Sequence, residues 1–190
     1  MDLLSFLRQS PALKDPVQAK HFATLWATRR VPKGARIATQ GTPDKAEIIV
    51  LDGAAASLIS DAEGRTACVG LYYGPCIVTP NIARTRDGVS LVTIEAQTDT
   101  LVATMDADAL SREMLSAPHV RDWANGVLRA ALAQKADREW CLAALGGAQR
   151  LAWFRENFPT LEEVFPHTLI ASHLGITPVT LSRLRQAAKS

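Results

Sequence analysis

The sequence predicts an α+β chain, with a β-rich middle flanked by helices, and three observations carry that expectation. Between Val31 and Met105 short runs of β-forming residues recur at regular spacing, separated by turn signals. On both sides of this zone apolar residues repeat at helical spacing. Near the C-terminus, His167 to Gln186 reads as two short helices joined by a glycine turn.

Residues 1 to about 30 read as helix, with Leu3, Leu4, Phe6 and Leu7, then Phe22, Leu25 and Trp26, and with Pro11 and Pro16 between them. Arg36 to Thr39 follows a Lys33-Gly34 turn. Glu47 to Leu51 ends at Asp52-Gly53, a strong turn signal. Ala54 to Ser60 and Thr66 to Tyr73 flank the hairpin loop Asp61-Ala62-Glu63-Gly64. Leu91 to Ala96 and Asp99 to Met105 close the set. Many short strands without an interrupting helix point to a sandwich, jelly roll or barrel.

Asp106 to Leu115 reads as a short helix, and Pro118 opens a longer one to about Trp140. Along it Val120, Trp123, Val127 and Ala131 form a stripe, which Ala124 and Leu128 widen. The stripe has two readings, packing on the chain's own β-domain or a two-fold helix pair between subunits. Gly146-Gly147 is the hinge candidate before the C-terminal unit.

Composition sets bounds. Of 190 residues 47% are hydrophobic, so a sizeable core is available and disorder is not expected. Lys and Arg total 21 against 19 Asp and Glu, and this balance alone names no partner. From Pro166 onward there are three cations (Arg183, Arg185, Lys189) and no acid, which suits a phosphate backbone. Cys68, Cys76 and Cys141 make an odd set without a CxxC pair, as expected for free thiols in a reducing cytoplasm. The N-terminus does not read as a signal peptide, and no run approaches the roughly 20 apolar residues of a membrane helix.

The C-terminal unit carries the most specific signal. Ala171 is the small residue where two helices cross, and Gly175 permits the turn. Ile170, Leu174, Ile176, Leu181 and Leu184 hold the pair together. Thr177 reads as N-cap, Pro178 as first helical residue, and Ile176 with Leu181 as a hydrophobic staple. Leu181, Leu184 and Ala188 face inward on this pattern. Val179, Ser182, Arg183 and Gln186 face outward, offering a methyl contact, a hydroxyl, a guanidinium and an amide suited to base edges. Thr177 and Thr180 suit a phosphate or base edge, and Thr168 suits a phosphate. An αα-hairpin that binds only protein is the plainer reading of such a pair, and the full set of matched positions favours DNA.

The segment from Phe165-Pro166 through Ile170-Ala171-Ser172-His173-Leu174-Gly175-Ile176-Thr177-Pro178-Val179-Thr180-Leu181-Ser182-Arg183-Leu184-Arg185 resembles the helix-turn-helix of bacterial Crp/Fnr transcription regulators. Lys33-Gly34, Gln40-Gly41, Leu51-Asp52-Gly53, Asp61-Ala62-Glu63-Gly64-Arg65 and Tyr73-Gly74-Pro75 resemble landmarks of that family's cyclic-nucleotide-binding β-roll. The resemblance implies a jelly-roll sensor over 1–115, a long dimerisation helix over 116–145 and a helix-turn-helix domain over 146–190. It implies double-stranded DNA as partner, a homodimer, a small-molecule effector of unidentified chemistry, contact with RNA polymerase, no catalysis and a cytoplasmic location. Arg183 matches the recognition-helix arginine. Pro178 and Val179 stand where many relatives carry Arg and Glu, so the target sequence does not transfer. The sequence closes shortly after the second helix, so the family's wing hairpin is not expected.

The sensor cassette departs from the pattern. Val78-Thr79-Pro80 stands where the family has Gly-Glu, and Ser90 falls near its Arg position, so cAMP and cGMP are not expected to bind. Thr79 is the expected cap of a short helix opening at Pro80, and Thr79, Arg84, Arg86 and Ser90 are the candidate effector residues. No cofactor or metal is expected: the cysteines are scattered, and Val31 to Met105 holds no histidine for haem or a cupin-type metal. His173 is placed on the helix surface near the turn. A β-roll module whose helix-turn-helix binds protein remains the alternative.

Overall fold

The computed structural model describes residues 1–187. Helix α1 (Leu3–Leu7) starts where Asp2 accepts the Ser5 amide, and α2 (Pro16–Thr24) where Asp15 accepts those of Val17 and Gln18. A 3₁₀ turn (Pro11–Leu13) lies between them. The sequence extends helix to about residue 30, but Ala27–Val31 is strand β1. Its partner, strand β10 (Thr100–Asp106), lies about 70 positions away and supplies the ladder that local pattern cannot show.

The remaining strands are β2 (Arg36–Ala38), β3 (Ala46–Asp52), β4 (Ala54–Ser60), β5 (Thr66–Tyr73), β6 (Cys76–Ile77), β7 (Thr85–Arg86), β8 (Val89–Ser90) and β9 (Thr93–Ala96). They build two four-stranded sheets, ordered β1-β10-β3-β6 and β2-β9-β4-β5, while β7 and β8 pair as a small hairpin. All pairings are antiparallel. Alternation along β3 sends Ile48 and Val50 between the sheets, against Val31, Ile94 and Val102. Ile49 and Leu51 point the other way, onto the N-terminal helices. At the β3–β4 corner Gly53 has φ +84° and lies so close to Asp99 that a Cβ would meet its carbonyl oxygen at 2.5 Å.

After β10, α4 (Ala107–Ser116) is capped by Asp106, which accepts the Ala109 amide at 2.8 Å. Helix α5 (Pro118–Ala144) follows. Its stripe is divided. Val120 (1% exposed) and Trp123 (6%) are buried in the chain's own core, where Trp123 meets Phe22 and Trp26 edge-on at centroid distances of 5.2 and 6.1 Å. These two side chains are therefore not available to a partner, because the N-terminal helices already cover them. Val127 and Ala131 are half-buried, and Val127 packs on the same core. The exposed leucines of α5 are Leu128 (40%) and Leu132 (67%), one turn apart on another face.

The C-terminal unit comprises α6 (Gly147–Asn157), α7 (Leu161–Val164), α8 (His167–His173) and α9 (Pro178–Ala187). Its core of Leu151, Phe154, Phe165, Ile170, Leu174 and Leu181 is continuous with Ala54, Ala56, Cys68 and Leu71 of β4 and β5. A unit of this size buries too little by itself, and the outer face of the roll completes its core. Among the described residues no helix is long and apolar enough to cross a membrane.

Candidate nucleic-acid interface

Helices α8 and α9 are joined through Gly175, whose φ is +63°. There the Gly175 amide donates to Ser172 O and the Ile176 amide to Ala171 O. Arg150 braces the turn, donating to Leu174 O at 3.0 Å while also holding Leu142 O and Leu145 O, both at 2.8 Å, at the end of α5. A Cβ on Gly175 would approach the Arg150 guanidinium to 3.1 Å. The sequence reading missed Arg150, whose partners are backbone carbonyls and leave no residue-type signature.

Helix α9 begins as its sequence dictates. Thr177 Oγ1 accepts the Thr180 amide at 3.1 Å and meets the Thr180 hydroxyl at 2.9 Å, and Pro178 opens the helix. Leu181 is buried beneath it and Leu184 is half-buried, while Ala188 lies outside the described residues. Val179 is 60% exposed, and Ser182, Arg183 and Gln186 share its exposure. Thr168 and Thr177 are exposed and Thr180 half-buried. The structure thus brings Thr177, Val179, Thr180, Ser182, Arg183 and Gln186 onto one short helix and its cap, with Thr168 at the start of α8.

The basic tail resolves differently from its sequence. Arg185 donates to Glu162 at 2.6 Å and contacts His167, while Arg155 holds the same carboxylate at 2.7 and 3.0 Å. The Arg155 bonds, then Arg185, hold Glu162 below the usual carboxylate range. Arg185 is therefore a brace between α7 and α9, whereas Arg183 makes no ion pair among the described residues. Lys189 lies outside them.

His173 also differs from expectation. The sequence places it on the helix surface, but it is 6% exposed, because α8 lies on β5. The ring packs against Phe154, and the Ser172 hydroxyl accepts the Cys68 amide at 2.9 Å. Burial, and then Arg138, push His173 down to about 3, so the ring is neutral at pH 7.

In the roll, α3 (Asn81–Arg84) is capped by Glu47, which accepts the Asn81 amide at 3.1 and 3.2 Å, and not by Thr79. Thr79 instead hydrogen-bonds Tyr72 at 2.9 Å, and Tyr72 reaches Ser57 at 3.2 Å. Arg84 is 2% exposed, pairs with Asp44 at 3.2 Å and donates to Thr79 O and Ala46 O. Thr79 and Arg84 line a cleft of about 280 Å³ together with Ser57, Tyr72, Lys135 and Arg138. Ser90 is buried and donates to Val92 O, and Arg86 is exposed on the β7–β8 hairpin, so neither joins that cleft. Lys135 and Arg138 were not singled out from the sequence, where their spacing of three on α5 is the only signal they carry. Among the described residues no His, Cys, Asp and Glu side chains cluster to hold a metal.

No family model and no curated protein matches the sequence. Solved structures do match. FixK2 from Bradyrhizobium japonicum superposes with a TM-score of 0.76 at 18% identity, over 86% of this chain and 84% of that one. CooA from Carboxydothermus hydrogenoformans, as a mutant, gives 0.74 at 18%, over 100% and 84%. The global regulator CLP of Xanthomonas campestris, described as c-di-GMP responsive, gives 0.70 at 14%, over 90% and 89%. The chain has the fold of the Crp/Fnr regulators. That fold places the roll, the long helix and the helix-turn-helix in the order described above.

Proposed function

We propose that this chain is a sequence-specific DNA-binding transcription regulator of the cytoplasm, acting as a homodimer. The observation that carries the reading is the outer face of α9. Val179, Ser182, Arg183 and Gln186 are exposed together, while Leu181 anchors the helix from behind. A short helix held this way enters a major groove N-terminus first. Arg183 suits bidentate contact with guanine, and Thr168 and Thr177 suit phosphates.

The dimer would form along α5 through Leu128 and Leu132, with Val127 and Ala131 at its edge, since Val120 and Trp123 are committed to the internal core. In this division of labour 1–115 senses, 116–145 pairs the subunits and 146–190 reads DNA. Cyclic nucleotides do not fit the sensing role. Asp44 already pairs with Arg84, the buried cation of the cassette, so that guanidinium is not free to receive a nucleotide phosphate.

Selection of bound fragments from random and genomic DNA tests the reading, with wild type and Arg183→Ala side by side. A two-fold motif enriched by wild type and relaxed in the variant is expected. Enrichment by neither protein, with binding blind to salt, would overturn it in favour of protein recognition.

A further inference from the structure

Strand β5 is the last strand of its sheet, so one of its edges has no strand neighbour. Such an edge presents backbone donors and acceptors in a row, and folded proteins cover or blunt it. Pairing with β4 passes from Ser57 opposite Gly70 to Leu58 opposite Cys68, which leaves Val69 as an extra residue on β5. An extra residue of this kind is a bulge, which bends the strand and re-aims the groups beside it.

Beside the bulge, both backbone groups of Cys68 are engaged from outside the sheet. Its amide donates to Ser172 Oγ of α8 at 2.9 Å, and its carbonyl accepts from Arg138 Nη2 of α5 at 3.2 Å. The same Nη2 donates to His173 O at 3.0 Å. His173 is the last residue of α8, where a helix leaves its carbonyls without intrahelical partners. One guanidinium therefore joins the roll, the long helix and the helix-turn-helix unit at a single residue of β5. No carboxylate pairs with Arg138 among the described residues, so these carbonyls are what fix it. Arg150 does a different job, because its acceptors Leu142 O, Leu145 O and Leu174 O tie the unit to α5 and not to the roll.

The rest of the seat is apolar, and on β4 it is made of Ala54 and Ala56. Apolar contact is non-directional and holds the unit down without fixing its angle. Hydrogen bonds are directional and do fix it. We propose that Arg138 and Ser172 are positioning residues for DNA reading. By capping the exposed rung at Cys68 they set the angle at which α9 is presented, and with it the half-site spacing that a two-fold pair accepts. The consequence for DNA rests on the reading of α9 given above, while the docking at Cys68 does not. Moving two half-sites apart by about two base pairs turns one against the other by about 70° around the duplex. A reader held at Cys68 cannot follow that turn, and one freed to swing at Gly146-Gly147 can follow part of it.

The test compares wild type with Ser172→Ala, Arg138→Gln, the double variant and the conservative Arg138→Lys. It reads hydrogen exchange of the Cys68 amide, cleavage at Gly146-Gly147 by a broad-specificity protease, and binding to selected operators whose half-sites are moved by about two base pairs either way. Ser172→Ala should speed exchange of the Cys68 amide by about fivefold or more. The double variant should also be cleaved at the hinge about fivefold faster, and its preference for the original spacing should shrink by about as much. Base preference within each half-site should stay as in wild type, and Arg138→Lys, which keeps a cationic donor, should keep the spacing preference. A merely weakened fold would instead lower binding at every spacing alike. That result, or unchanged exchange and cleavage in the double variant, would overturn the proposal. If wild type selects no operator, the DNA reading falls, and exchange and cleavage alone decide whether Cys68 is the docking point.

Discussion

Arg84 and Arg183 were both legible as candidate ligand-binding arginines, and the structure uses them in opposite ways. Arg84 is buried, paired with Asp44 and bonded to two carbonyls, so its charge holds the α3 cassette to the strands around it. Arg183 is exposed and unpaired among the described residues, so its donors remain available to an outside partner. Residue type alone does not separate a brace from a reader. What separates them is whether a carboxylate has been brought to the guanidinium before any ligand arrives.

The sharpest way to break this contrast is to remove each arginine in turn. Arg84→Ala strands Asp44 in the interior and should destabilise the protein by about 3–5 kcal/mol in denaturant unfolding. Arg183→Ala should leave stability within about 0.5 kcal/mol of wild type. Equal effects would dissolve the distinction.

Acid should test the seat of the helix-turn-helix next. His173 is held at about 3 in the folded chain against an ordinary 6.5. Between those values the unfolded chain binds a proton that the folded chain refuses. Stability is therefore full above about pH 6.5 and falls as the pH drops, by about 1.4 kcal/mol per pH unit from this group. Thermal unfolding of wild type and His173→Phe from pH 7 to 4 should show that slope in the first and its loss in the second.

Arg183→Ala should then cost about 1–3 kcal/mol of discrimination at one base pair, read by binding to a set of single-base operator variants near physiological salt. The smallest effect belongs to the brace beside Arg183. Glu162, lowered by Arg155 and Arg185, contributes stability above the ordinary glutamate range that is lost as pH falls through its depressed value. Glu162→Gln should remove about 1 kcal/mol at neutral pH, since the cluster is partly exposed. It should also weaken DNA binding by loosening Arg185 and α9.

Local chemistry was legible wherever it was sufficient. Ala54–Ser60 and Thr66–Tyr73 are strands with the ends their turn residues announce, Asp106 caps α4, and Thr177-Pro178 opens α9. Each of these depends on residues within a few positions of one another. Sequence by itself therefore determined most of the element types, the β-rich texture of the middle and the outward set on α9. Tertiary structure decided β1, because its ladder partner is β10. It decided that Val120 and Trp123 belong to the chain's own core, because the N-terminal helical segment covers them. It buried His173 against β5, gave Arg84 to Asp44, and left Arg138 without a carboxylate partner among the described residues. In every such case the deciding partner lies tens of residues away, and neither propensity nor periodicity carries information across that distance.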